Sequence, residues 1–206
     1  NKMEPILLVV IMIVLFFITF FSRKTIGNKR LYHALILLQK GRYQEAESLV
    51  TNIGAKLLLS TFSILQVLLQ SAILQNKHEQ IVSVLQNLSK LKLNSVQKRS
   101  VYLEGFNYFI PLKDQKNAKK CMNALKSLDN NEETKKTVQM IYEIVIEKKT
   151  DKLDEVLNRA NTLIGHEQMI AEYLVSKIYE SIGEKEKATV FLQRAQEHFK
   201  QYAYNS

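Results

Sequence analysis

The side chains able to do chemistry are few and badly spaced for it. The four histidines are His33, His78, His166 and His198. No two stand three or four residues apart, the spacing that puts a ligand pair on one face of a helix. His166-Glu167 would open a zinc-protease motif, but position 170 is Ile where the second histidine belongs. Cys121 is the only cysteine. It falls on the apolar stripe of a helical pattern and reads as a small buried hydrophobe. There is no Gly-rich phosphate loop of either common spacing. Glu143 and Glu147 lie four apart, as carboxylates do on many wetted helices. No nucleophile, base and orienting group can be assembled, so the expectation is no enzyme activity, no metal, no cofactor and no small-molecule substrate.

Charge is the stronger signal. The 206 residues carry 29 Lys+Arg against 20 Asp+Glu, a formal net charge of +9. Between 90 and 152 stand 14 Lys or Arg, among them Lys113, Lys116, Lys119, Lys120, Lys148 and Lys152, with 8 acids interspersed. Mixed signs on helices usually mark a solvated face. The alternatives are contact with anionic lipid or an acidic protein. Nucleic acid is not expected, because no recognition motif accompanies the charge.

The elements that position these residues repeat. A turn-like residue, four mostly polar residues and a small or aliphatic one recur at Gly41–Ala46, Asn76–Ile81, Lys113–Ala118, Lys148–Leu153 and Gly183–Ala188. The hexads end at 46, 81, 118, 153 and 188, so successive spacings are 35, 37, 35 and 35. Three, four and seven residues beyond each end lie apolar side chains, such as Val84, Leu85 and Leu88, on one face of a helix. Nine before each end lie Leu37, Ala72, Phe109, Ile144 and Tyr179, on the inward face of a preceding helix. Each unit is a first helix, a short polar turn and a second amphipathic helix, and it needs neighbours to bury its apolar face. The scarcity of glycine (6) and proline (2) speaks against folds rich in tight turns. First helices are predicted near 29–40, 57–75, 95–110, 132–148 and 166–182. Second helices are predicted near 43–54, 78–91, 115–128, 151–164 and 185–203. Pro111 should end the third first helix, and Asp129-Asn130-Asn131 should be a loop.

The pattern resembles the tetratricopeptide repeat, whose period is 34. Ala34, Leu37, Gly41, Tyr43 and Ala46 match that family's small, large, Gly, aromatic and Ala positions, and Ser176, Tyr179, Gly183 and Ala188 match again. The resemblance covers about residues 28–204. It implies an all-α fold, a right-handed α-solenoid of about five helix-turn-helix repeats, whose concave groove binds other proteins. Positions eleven and fifteen before the hexad ends map that groove to Gln66, Gln70, Asn107, Tyr142, Tyr173 and Lys177. These would suit a helix or an extended peptide. The family's carboxylate clamp is not formed, since Asn107 is paired with Leu103.

Ahead of the repeats, Ile6 to Phe21 reads ILLVVIMIVLFFITFF, with only Thr19 breaking the apolar run. A helix from Pro5 to Ser22 would span about 27 Å. One transmembrane helix is therefore expected, with residues 1–24 as anchor, 25–28 as a short linker and 29–204 as the repeat domain. Arg23, Lys24, Lys29 and Arg30 would meet the anionic surface, and the positive-inside bias would put the repeats in the cytoplasm as a single-pass membrane protein. The combined expectation is a membrane-anchored adaptor or scaffold that binds protein partners at a bilayer. Two alternatives stand beside it: a structural subunit of a larger bacterial secretion or motility machine, and a periplasmic chaperone-like helper of opposite topology.

Overall fold

The computed structural model of the chain describes residues 23–128 and 132–205. Everything regular in them is helical, and no strand occurs among the described residues. The chain divides into two compact units that meet in sequence between Asn94 and Ser95.

Among the described residues the first unit holds five helices. Helix α1 is helical from 23 to 39. It is followed by α2 (Tyr43–Thr51), α3 (Ile53–Leu58), α4 (Thr61–Leu74) and α5 (His78–Ser89). Ala34, Leu37 and Leu38 from α1 pack with Ala46 and Val50 from α2 and Val67 from α4. Ile81, Val84, Leu85 and Leu88, the apolar face of α5, are buried, and α5 lies against α4. Residues 25–28, expected as a linker, are part of α1. A β-carbon at Gly27 would stand 2.8 Å from the carbonyl oxygen of Leu58. Only glycine lets the two backbones approach so closely.

The second unit holds α6 (Ser95–Phe109), α7 (Gln115–Lys126), α8 (Glu132–Val145), α9 (Leu153–Thr162), α10 (His166–Ser181) and α11 (Lys185–Asn205). Helix α6 pairs with α7, and α10 packs on α8, α9 and α11. Phe106 and Phe109 from α6, Leu125 from α7 and Leu174 and Ile178 from α10 are among its largest fully buried side chains.

All five predicted turns are present, and they share one backbone device. The first residue of every hexad has positive φ: Gly41 at 71°, Asn76 at 53°, Lys113 at 55°, Lys148 at 56° and Gly183 at 86°. In four of them the next amide donates to the carbonyl five residues back. The bonds are Arg42 to Leu37 at 2.9 Å, Lys77 to Ala72 at 2.9 Å, Asp114 to Phe109 at 3.2 Å and Glu184 to Tyr179 at 2.9 Å. The positive-φ amide itself donates three back, as Gly41 does to Leu38 at 3.0 Å. This is the Schellman pattern, which satisfies the last carbonyls of a helix while reversing the chain. The fourth turn is wider: Lys149 donates to Glu143, six back, at 3.0 Å. Seven residues, 146–152, separate α8 from α9, and α9 lies mainly on α10 instead of on α8.

Three expectations change. The second helix of the first repeat stops at Thr51, not 54. Asn52 turns extended at ψ 161° and its side chain accepts the amide of Ala55, starting α3 with a new phase. Ala55 is thereby buried, and Ile53, predicted inward, is 82% exposed. Gly54, which falls at the end of the second helix predicted near 43–54, lies inside α3.

The third change concerns the membrane. No helix among the described residues is long and apolar enough to cross a bilayer. The most apolar one, α4, has 14 residues, about 21 Å of rise against a hydrocarbon core of about 30 Å. The longest, α11, has 21 residues and reads KEKATVFLQRAQEHFKQYAYN, charged throughout. The fold expectation is corrected to an all-α, helical repeat-like one without a demonstrated spanning helix, and the single-pass membrane location built on that helix does not stand. The segment 5–22 on which it rested lies outside the described residues, as does the loop expected at 129–131.

Candidate protein-binding cleft

The six groove residues predicted from sequence do not form one surface. In the first unit, Gln66 and Gln70 lie half-buried on α4. In the second, Asn107 is exposed on α6, while Tyr142 on α8 is only 2% exposed. Helix α8 is packed by α7 and by α10, so the ring that the register aimed at a groove is a core residue. Its hydroxyl is buried with no hydrogen-bond partner among the described residues.

Tyr173 and Lys177 do come together. They sit one turn apart on α10, with the Lys177 ammonium 5.6 Å from the centre of the Tyr173 ring. Lys177 also pairs with Glu180 at 2.6 Å. Both residues line a cleft of about 490 Å3 walled by Pro111, Ile144 and Val145 and edged by Lys113, Lys148, Glu180 and Ser181. The Glu180 carboxyl is held below its ordinary range, first by the hydrogen bond from Lys177, then by that lysine's charge, with Lys113 and Lys148 adding to it. Three ammonium groups thus act on one acid. Tyr173 also lines an apolar hollow of about 360 Å3 between α10 and α11, with Met169, Leu192 and Phe199. A half-apolar, positively charged cleft beside an apolar hollow can grip a peptide by charge and by an inserted side chain.

The sequence reading named Lys113 and Lys148 as turn residues and as part of the basic run, but not as site residues. The signal was the turn position itself. Gly41, Asn76 and Gly183 are residue types suited to a left-handed turn, and lysine is not.

The basic residues expected at a membrane are placed otherwise. Arg23, Lys24 and Lys29 are exposed on α1 and Arg30 is half-buried. The Arg23 guanidinium donates to the carbonyl of Leu57, its Nε at 2.9 Å and its second nitrogen to the same oxygen. Arg30 lies against Gly54. Two of the four thus brace α3.

Two further groups support the second unit. Glu143, 8% exposed, receives Lys152 at 2.7 Å and Lys149 at 3.3 Å, and Gln139 at 2.8 Å. The Lys152 bond, then those from Gln139 and Lys149, hold its carboxyl at about 2, against the opposing effect of burial. This carboxylate anchors the wide 146–152 turn that carries Lys148. Its pKa is depressed on folding, so its stabilisation is complete above about 4.5 and is lost as the pH falls through about 2. Glu143→Gln is expected to flatten the fall in urea midpoint between pH 4.5 and 2; an unchanged slope would remove Glu143 from this role.

Cys121 is 3% exposed. Burial, then the charge of Asp114, push its thiol up to about 12, with Lys120 opposing. A thiol of that kind is protonated and shielded. It is expected to resist an aromatic disulfide reagent in the native protein and to react within the dead time in urea. Fast native labelling would contradict the packing of α7 on α6.

Among the described residues no group of three or more His, Cys, Asp or Glu could hold a metal ion. No protein-family model matches the chain, and neither a curated protein nor a solved structure does.

Proposed function

We propose that the chain is a protein-binding scaffold of tetratricopeptide-like helix pairs, with no catalytic activity of its own, and that it engages a segment of its partner at the cleft on the second unit. The observation that carries this reading is the meeting of Tyr173 and Lys177 with the turn lysines around one partly apolar cleft. Five turns that share a left-handed first residue support the likeness to the repeat family, because such repeats serve as rigid frames that present side chains for binding. The reading concerns recognition only, since nothing in the cleft supplies a nucleophile with a base.

A photo-crosslinking amino acid placed at Tyr173 tests it in cells, with the 68% exposed Tyr32 of the first unit as the control position. The expected result is a discrete adduct at 173 that Lys177→Ala diminishes. Adducts at 32 but none at 173 would reject the cleft as the binding site.

A further inference from the structure

Lys113 and Lys148 hold equivalent places in two successive repeats, each the left-handed residue of its turn, at φ 55° and 56°. In the first and last repeats glycine fills this place. A β-carbon in this region crowds the following carbonyl, so lysine is disfavoured there relative to glycine. Backbone outliers of this kind persist where they serve a site. No local contact accounts for the lysines: both are exposed, and among the described residues the ion pairs of the second unit are made by Lys135, Lys149, Lys152, Lys177, Lys187, Arg159, Arg194 and His198 instead.

What the two share is the cleft, which both line. Glu180 is engaged directly by Lys177 at 2.6 Å and feels Lys113 and Lys148 only through space, so the cleft holds three ammonium groups against one carboxylate. We infer that the occupant of this cleft is an acidic peptide segment, its carboxylates held by Lys113 and Lys148 and a neighbouring large apolar side chain set against Pro111, Ile144 and Val145. The inference rests on the protein-binding reading above and specifies its partner. A cleft of about 490 Å3 accepts a few side chains. A bilayer or a nucleic-acid backbone offers a broad array of phosphates, and Glu180 stands at the cleft edge against it. A peptide can place two carboxylates on the lysines and bypass Glu180, as charge complementarity requires for register.

The test uses the full chain and two labelled peptides in fluorescence anisotropy: one with glutamates flanking a leucine, the other with glutamine at each glutamate. The glutamate peptide is expected to bind at least ~10-fold more tightly, and to weaken as salt rises. Lys113→Gly with Lys148→Gly is the informative variant. It removes both charges and relieves both turns, so its thermal midpoint should rise while its affinity for the glutamate peptide falls by ~10-fold or more. Equal affinity for the two peptides, or unchanged affinity in the double variant, overturns the inference. If both peptides bind equally and Tyr173→Ala abolishes both, the acidic occupant is rejected while the protein-binding reading stands. If neither binds, the acidic occupant is rejected, and the crosslink at Tyr173 decides the broader reading on its own. A single-stranded oligonucleotide or phosphatidylserine vesicles that bind more tightly than the glutamate peptide, and lose that binding in the double variant, would also overturn it.

Discussion

Replacing Arg194 and His198 together by alanine is expected to lower the unfolding free energy by about 3 kcal/mol, the largest loss from any polar change in the second unit. Glu172 on α10 is completely buried. Its carboxylate meets Arg194 at 3.0 Å and the His198 ring nitrogen at 2.7 Å, both from α11. The partners are partly exposed, with side chains 39% and 32% accessible, while the acid has no access at all. Removing the pair therefore strands a charge that water cannot reach, whereas removing the acid lets the partners rehydrate. The triple variant that adds Glu172→Leu should regain most of the loss, because an apolar side chain tolerates that site. Urea unfolding followed by circular dichroism measures all three proteins. A double variant within about 1 kcal/mol of wild type would show that the pair does not hold α11 to α10.

Phe109→Ala is the second large effect, expected at about 3–5 kcal/mol. The ring is 1% exposed and stands edge-on to Tyr108, with centroids 5.3 Å apart at 77°. Alanine keeps the Phe109 carbonyl that accepts the Asp114 amide in the Lys113 turn, so the turn retains its backbone bonds and the loss is one of packing. Phe109→Leu separates volume from aromatic contact and should lose about half as much. Calorimetry of the three proteins gives the comparison. Equal midpoints would mean that the space under the turn closes without the ring.

The helix pairs were legible because two periodicities coincide in this sequence. Apolar residues recur at helical spacing, and the hexads recur about every 35 residues. Leu88, Leu125, Ala160 and Ala195, predicted inward at one register, are all buried. The exception, Ile53, shows what periodicity cannot carry. Asn52 can stay within a helix or cap a new one, and the choice rests on its bond to Ala55, so the phase is reset without any break in the apolar pattern. Tyr142 marks a second limit. Register assigns a residue to a face, but which faces are covered depends on the packing of α8 on α7 and α10, which sequence spacing does not encode. Tyr173 and Lys177 were found because they share one helix. Lys113 and Lys148 join them only through tertiary packing, and their place in the turn motif was visible before its consequence was.

The shared turn geometry also decides how the chain yields. The amides of Arg42, Lys77, Asp114 and Glu184 lie between helices, where loop amides usually trade hydrogen for deuterium within seconds, yet each is tied to a carbonyl five residues upstream. Joined this firmly, the two coils of a pair breathe together as one block. Residues 92–94 carry no regular structure and belong to no such block.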